Sequence, residues 1–249
     1  MTQSPHGIAI VTGASRGIGQ ATAERLSRDG FALLITGRDE TRLKKVAAGL
    51  QTPCHTVAVD LADASAAQVI VEGLKNSAFK NLTLTALINN AAIFHRQSFL
   101  ETSEENWRQE FETNLMAPVR LIRQALPHFA AGGVILNVSS TLGLRPIVNT
   151  LAYSAIKAGL NNLTQGLALE LAPRIRVCAV CPGLTDTPIH PFHQDSDQSE
   201  ARRQAHAAQP MKRMGRPEDI ASMISFLVGP ESAWNTGSIH VIDGGISLL

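Results

Sequence analysis

Tyr153-Ser-Ala-Ile-Lys157 places a phenol and an ammonium four residues apart, and on a helix that spacing sets both on one face. A phenol with a pKa of about 10 is only about 0.1% ionised at neutral pH, and ionising it there costs roughly 4 kcal/mol. A neighbouring ammonium favours the phenolate, and desolvation of Lys157 along the face that runs into Leu160 would strengthen its field. Such a tyrosine could protonate a carbonyl oxygen or deprotonate an alcohol. Thirteen residues upstream, Ser139-Ser140 close a strand-like run, where the Ser140 hydroxyl could hold the same oxygen and steady its charge. Alone, a Y-x-x-x-K spacing is common by chance, and a packed tyrosine with a snorkelling lysine competes with this reading. The surrounding motifs decide.

Directly after an apolar run at Gly7 to Thr12 comes Thr12-Gly13-Ala-Ser15-Arg16-Gly17-Ile18-Gly19, followed by a helical pattern. Glycines there permit a tight turn and close backbone approach, while the helix N-terminus offers free N–H groups to a pyrophosphate. The spacing is G-x-x-x-G-x-G rather than G-x-G-x-x-G. Gly13, Ser15, Arg16, Gly17, Ile18 and Gly19 are therefore candidate dinucleotide-binding residues. A carboxylate at the end of the second strand would hold a ribose 2′-hydroxyl, whereas arginine suits a 2′-phosphate. That strand ends Ile35-Thr36-Gly37-Arg38, with no acid before Asp39. If Arg16 and Arg38 meet one phosphate, a charge-assisted hydrogen bond of about 1.5 to 3 kcal/mol gives roughly 10 to 150-fold preference for NADP(H), with NAD(H) the alternative. Asp60, with Leu61 beside it, is a candidate adenine contact.

These residues need a scaffold, and the chain supplies one in its alternation. Short β-branched runs at Gly7 to Thr12, Phe31 to Thr36, His55 to Val59, Leu84 to Asn89, Val134 to Val138, Arg176 to Val180 and Ser238 to Ile242 are separated by helical patterns. Parallel neighbours need crossovers, so the alternation predicts an α/β, doubly wound Rossmann-type sheet of about seven parallel strands with helices on both faces. Gly30 reads as a helix stop, Thr102 with Glu105 as a capping box, and Pro217-Glu-Asp as a first turn closed off at Gly229-Pro230. A helix beginning at Tyr153 shows an apolar stripe of Leu160, Leu163, Leu167 and Leu171. Nothing breaks residues 1–249 into more than one domain. The long irregular stretch 187–213 lies beyond the sixth strand, where a substrate lid would sit.

The 249 residues carry 22 basic and 21 acidic side chains, a net charge of +1. Bulk charge therefore excludes a nucleic-acid or membrane-surface protein. No apolar run approaches the roughly 18 to 20 residues of a membrane span, and Met1 to His6 has no export signal, so a cytoplasmic location is expected. Cys178 and Cys181, three apart on a strand, fall on opposite faces and read as buried structural thiols. His190, His193 and His206 lack a completed ligand spacing, so no metal is expected.

Taken together, Thr12-Gly13-x-x-x-Gly17-x-Gly19, Asp60, Asn89-Asn90-Ala91, Asn114, Ser140, Tyr153-x-x-x-Lys157 and Pro182-Gly183 resemble the short-chain dehydrogenase/reductase family over essentially the full length. The resemblance implies Tyr153 as general acid/base, Ser140 orienting the carbonyl, and Lys157 binding the nicotinamide ribose and lowering the Tyr153 pKa. It implies Asn114 in a water-linked proton relay, Asn90 against the cofactor, and Pro182, Gly183, Thr185 and Thr187 around the nicotinamide. The closing segment from Arg213 to Ile220 and from Thr236 to Gly245 looks most like the branch of 3-oxoacyl-carrier-protein reductases and sugar or alcohol dehydrogenases. That branch implies a homotetramer, or a homodimer, built partly through the last strand and the Tyr153 helix. Ala92 replaces the usual glycine, Ala172-Pro173-Arg174-Ile175 lacks one, and no basic cluster for a carrier protein follows Asn114. The expected function is an NADP(H)-preferring oxidoreductase interconverting a small-molecule carbonyl and a secondary alcohol. The alternatives are an NAD(H)-dependent sugar or alcohol dehydrogenase of the same family and a silent dinucleotide-binding sensor.

Overall fold

The apolar runs form seven parallel strands in the computed structural model, which describes residues 6–190, 193 and 199–249. They are β1 (Ile8–Val11), β2 (Ala32–Gly37), β3 (Cys54–Ala58), β4 (Leu84–Asn89), β5 (Phe129–Val138), β6 (Ile175–Pro182) and β7 (Ile239–Ile242). Their order is β3-β2-β1-β4-β5-β6-β7. The winding therefore reverses between β1 and β4, and a crevice opens at the carboxyl ends of those strands.

Both faces of the sheet are covered, which is why the inner strands read as unbroken hydrophobic runs. On one face Ile10, Leu34, Leu87 and Ile135 pack with Ile70 of α3 (Ala66–Glu72) and Leu121 of α5 (Ala117–Ala125). On the other, Val11, Leu33, Ile35 and Leu136 pack with Leu26 of α1 (Gly17–Arg28) and Ile220, Ile224 and Leu227 of α8 (Pro217–Val228). Cys178 and Cys181 are both buried and unpaired.

Local chemistry sets the helix ends. Gly30 takes a left-handed φ of 93° just past α1, and Asp219 accepts the Arg216 N–H at 2.7 Å to start α8. In place of the capping box expected at Thr102 and Glu105, a single cap bond forms one residue on. Ser103 accepts the Asn106 N–H at 3.1 Å and opens α4 (Glu104–Phe111), because the Thr102 hydroxyl is already donating to the Ser98 carbonyl at 2.7 Å. The buried face of α6 (Leu151–Leu171) also differs from the leucine stripe. It runs through Tyr153, Lys157, Leu160, Asn161, Thr164 and Ala168, while Leu167 and Leu171 pack only at the core's margin.

The stretch expected to be irregular contains a helix, α7 (Glu200–Ala208), capped by Ser199 accepting the Arg202 N–H at 3.2 Å. Its alanines favour helix where flanking Pro, His and Asp suggested loop. Residues 191–192 and 194–198 of the expected lid lie outside the described residues. Arg202, 6% exposed, ties α7 back to Asp186 through bonds of 2.7 and 3.1 Å. Chiefly through Arg202, the Asp186 carboxyl is held down to about 2. Its folded pKa lies below its ordinary 3.8, so the stabilisation is complete above that value and is lost as pH falls through about 2. Asp186→Ala is expected to cost about 2 kcal/mol at pH 6, because it strips a buried guanidinium of a charged partner. Thermal melts should show the gap from wild type closing between about pH 4 and pH 2; a gap independent of pH would exclude the pair as its cause.

Candidate active site

A cavity of about 1290 Å³ lies at the carboxyl ends of the strands. Gly13, Ser15, Arg16, Gly17 and Ile18 line it with Arg38, Asp60 and Leu61, and Asn90, Ser140, Tyr153, Lys157, Pro182, Gly183, Thr185 and Thr187 are also among its lining residues. Two expected residues are not on the wall. Gly19 is buried against the turn it supports, where a Cβ would collide with the Gly13 carbonyl oxygen. Asn114, fully buried in a π-helical turn at Glu112–Met116, accepts the Ile93 N–H and donates to the Ile93 carbonyl, both at 2.9 Å.

The glycine turn is stitched to the neighbouring strand. The Thr12 hydroxyl accepts the N–H groups of Asn90 and Ala91 at 2.9 and 3.1 Å, and Asn90 Nδ2 donates to the Thr12 carbonyl at 2.8 Å. Gly13, at φ 65°, bends the chain into α1. No side chain caps that helix and no acid lies in its first turn, so its free N–H groups suit an anion. The cradle thus fits a dinucleotide pyrophosphate. Arg16 is exposed, and Arg38 lies beside Asp60 with Nη1 to Oδ2 at 3.9 Å.

At the other end, a buried polar ladder positions α6. Asn89 donates to Asn137, and Asn137 to the Thr164 hydroxyl, each at 2.9 Å. Lys157 is 1% exposed; its Nζ donates to the Val138 carbonyl at 2.8 Å and lies 5.5 Å from the Tyr153 ring centroid. The Ser140 hydroxyl accepts the Leu142 N–H at 3.1 Å, which leaves its own hydrogen free to point elsewhere.

Electrostatics reverse one expectation. Spacing predicted that Lys157 would ease ionisation of Tyr153, but burial pushes the phenol well above its ordinary value, with the Glu110 charge adding to the rise. Burial also pushes Lys157 down to about 8. Desolvation disfavours the charged form of both groups.

Sequence reasoning missed two neighbours of the phenol. The Phe94 ring packs on Tyr153 with centroids 4.7 Å apart. Glu110 is 0% exposed; its Oε1 accepts the His95 N–H at 2.6 Å and lies 3.2 Å from His95 Nδ1, and burial raises its pKa. The available signal was its spacing: Glu110 stands one helical turn before Asn114, so the two share a face. Among the described residues no group of His, Cys, Asp or Glu is arranged for a metal, and no helix is long and apolar enough to cross a membrane.

Residues 13–247 match the family model described as enoyl-(acyl carrier protein) reductase. A cis-4-hydroxycyclohexanecarboxylate dehydrogenase from Sinomonas cyclohexanicum is 35% identical, covering 97% of each chain. Among solved structures, a short chain dehydrogenase from Burkholderia cenocepacia J2315 in complex with NADP superposes with a TM-score of 0.87 at 33% identity over 96% of each chain. A 3-ketoacyl-(acyl-carrier-protein) reductase from Brucella melitensis complexed with NADH gives 0.87 at 30% identity, over 98% of this chain and 99% of that one.

Proposed function

Because the chain belongs to the short-chain dehydrogenase/reductase family, near its 3-oxoacyl-carrier-protein reductases, we propose that it is an NADP(H)-preferring oxidoreductase interconverting a carbonyl and a secondary alcohol. The observation that carries this reading is one cavity with Ser140, Tyr153 and Lys157 at one end and a glycine turn flanked by Arg16 and Arg38 at the other. When bound, the nicotinamide supplies or accepts the hydride. In reduction, the Tyr153 hydroxyl gives its proton to the substrate oxygen, and in oxidation it takes that proton back. Ser140 donates a hydrogen bond to the same oxygen. Lys157 holds positive charge beside the phenol, and Asn114 acts one layer back by fixing the chain at Ile93.

The NADP(H) preference rests on Arg16 and Arg38. The contact between Arg38 and Asp60 favours NAD(H) if it keeps the guanidinium occupied, but at 3.9 Å with side chains 66% and 46% exposed it is weak. Exposed pairs contribute about 0 to 1 kcal/mol, against about 1.5 to 3 for a charge-assisted bond to phosphate. Arg38→Asp is expected to shift the NADPH to NADH ratio of kcat/KM by about 10 to 150-fold toward NADH; an unchanged ratio would place the 2′-phosphate elsewhere.

We assign α7 to a lid over the substrate, since its Ala201, Gln204, Ala205 and Ala208 line the cavity. A homotetramer is also part of this proposal. Exposed Leu169 on α6, with Trp234, Val241 of β7 and Leu248, supports pairing through the last strand and that helix, which a mass measurement in solution tests.

A further inference from the structure

The cavity wall also carries the apolar side chains of Phe94, Leu142, Ile147, Ile189, Ala205 and Ala208, with Gln109, Gln204 and Gln209 among them. Arg96, Arg145 and His190 also line this cavity, and among its described lining residues Asp60 has the single carboxylate side chain, standing beside Arg38 at the nucleotide end, while the last residue, Leu249, also lines the cavity. Both arginines are exposed at the cavity's edge and lie in sequence beside residues of the phenol's site. Arg145 lies on the segment whose two ends are Ser140 and Tyr153, and Arg96 is two residues past the Phe94 ring that packs on Tyr153.

Some exposed arginines pair with acids, Arg42 with Asp39, Arg108 with Glu104, Arg203 with Glu200 and Arg213 with Asp219, while others, Arg28 and Arg123 among them, have no ion pair among the described residues. Arg96 and Arg145 have no ion-pair partner among the described residues, and Arg145 Nη1 reaches only the Ser247 carbonyl, at 3.3 Å. His190 adds little charge at neutral pH. Burial lowers its pKa, and Arg96 pushes it the same way while Asp186 opposes. Among the described side chains, Arg96 and Arg145 are thus fixed charges that line the cavity away from the glycine turn, and a cleft lined by one sign of charge concentrates ligands of the other. A nucleotide's phosphates belong at the glycine turn, so they leave these two cations unanswered.

We propose that the substrate is an organic acid, a ketone or secondary alcohol on an apolar body whose carboxylate is held by Arg145 and Arg96 while the reacting carbon faces Tyr153. Guanidinium suits this task because its planar fork meets a carboxylate with two parallel hydrogen bonds. The assignment rests on the carbonyl–alcohol function proposed above and adds to it the charge of the substrate.

The test compares 4-oxocyclohexanecarboxylate with its methyl ester and with cyclohexanone, using NADPH. The acid should show a kcat/KM at least tenfold above its ester. Arg145→Met and Arg96→Met should each cost the acid at least tenfold more than the ester, mainly through KM, with Arg145→Lys restoring part of the loss. Calorimetry on the inactive Tyr153→Phe enzyme with cofactor bound should register the acid and lose that binding when Arg145→Met is added. An ester used as well as the acid, or an acid preference that survives both arginine substitutions, overturns the inference while leaving the carbonyl function standing. Failure of all three compounds, and of a wider panel of neutral and acidic ketones, removes that function and this inference with it.

Discussion

Tyr153→Phe is expected to lower kcat by about 10² to 10⁴-fold, the usual share of a positioned general acid, with NADPH affinity within about twofold of wild type. The substitution removes one oxygen and keeps the ring, so the packing on Phe94 at 4.7 Å is retained. Single-turnover kinetics with fluorescence titration of NADPH separates the two effects. Turnover near wild type would sink the acid/base assignment. Because Tyr153 is the sole tyrosine, its ionisation can be read directly from phenolate absorbance. In the cofactor-free enzyme that signal should emerge only at pH values above the ordinary phenol range, since burial raises the pKa. Lys157, at about 8, has lost its charge by then and gives the phenolate no help. Oxidised cofactor, which adds positive charge beside the ring, should move the transition to lower pH.

Gly19→Ala is expected to weaken NADPH binding by at least about 100-fold, close to 3 kcal/mol. The added methyl would collide with the Gly13 carbonyl oxygen and sit 2.5 Å from Asn90 Nδ2. Neither neighbour can yield cheaply. The first is main chain in the turn itself, and the second is the amide that binds the Thr12 carbonyl. The collision therefore opens the turn that presents the α1 N–H groups. Melting curves show whether the fold survives, and a dissociation constant within threefold of wild type in a folded variant would contradict this account.

Parallel strands buried on both faces announce themselves in sequence, and Leu84–Asn89 matches its expected run residue for residue. β5 begins at Phe129, five residues before its expected start at Val134, because Ala130-Ala-Gly-Gly133 has no β-forming side chains and is drawn into the strand by pairing with β4 and β6. The placement of Tyr153 and Lys157 on one buried face was legible because helix geometry fixes which residues share a face. The phenol's electrostatics were not, since spacing brings an ammonium near without revealing how completely both groups are buried. Phe94 and Glu110 were hidden for a related reason: one sits on a loop and the other on a helix, and only the tertiary fold brings them together.

That arrangement has a consequence for how such a site can change. Asn114 grips the main chain at Ile93 and Glu110 grips it at His95, so the segment is held from both sides of Phe94 by bonds that never touch its ring. Position 94 is therefore adjustable without loosening its mount. An enzyme built this way can alter the outline it offers to a substrate through one side chain while its scaffold keeps the same aim.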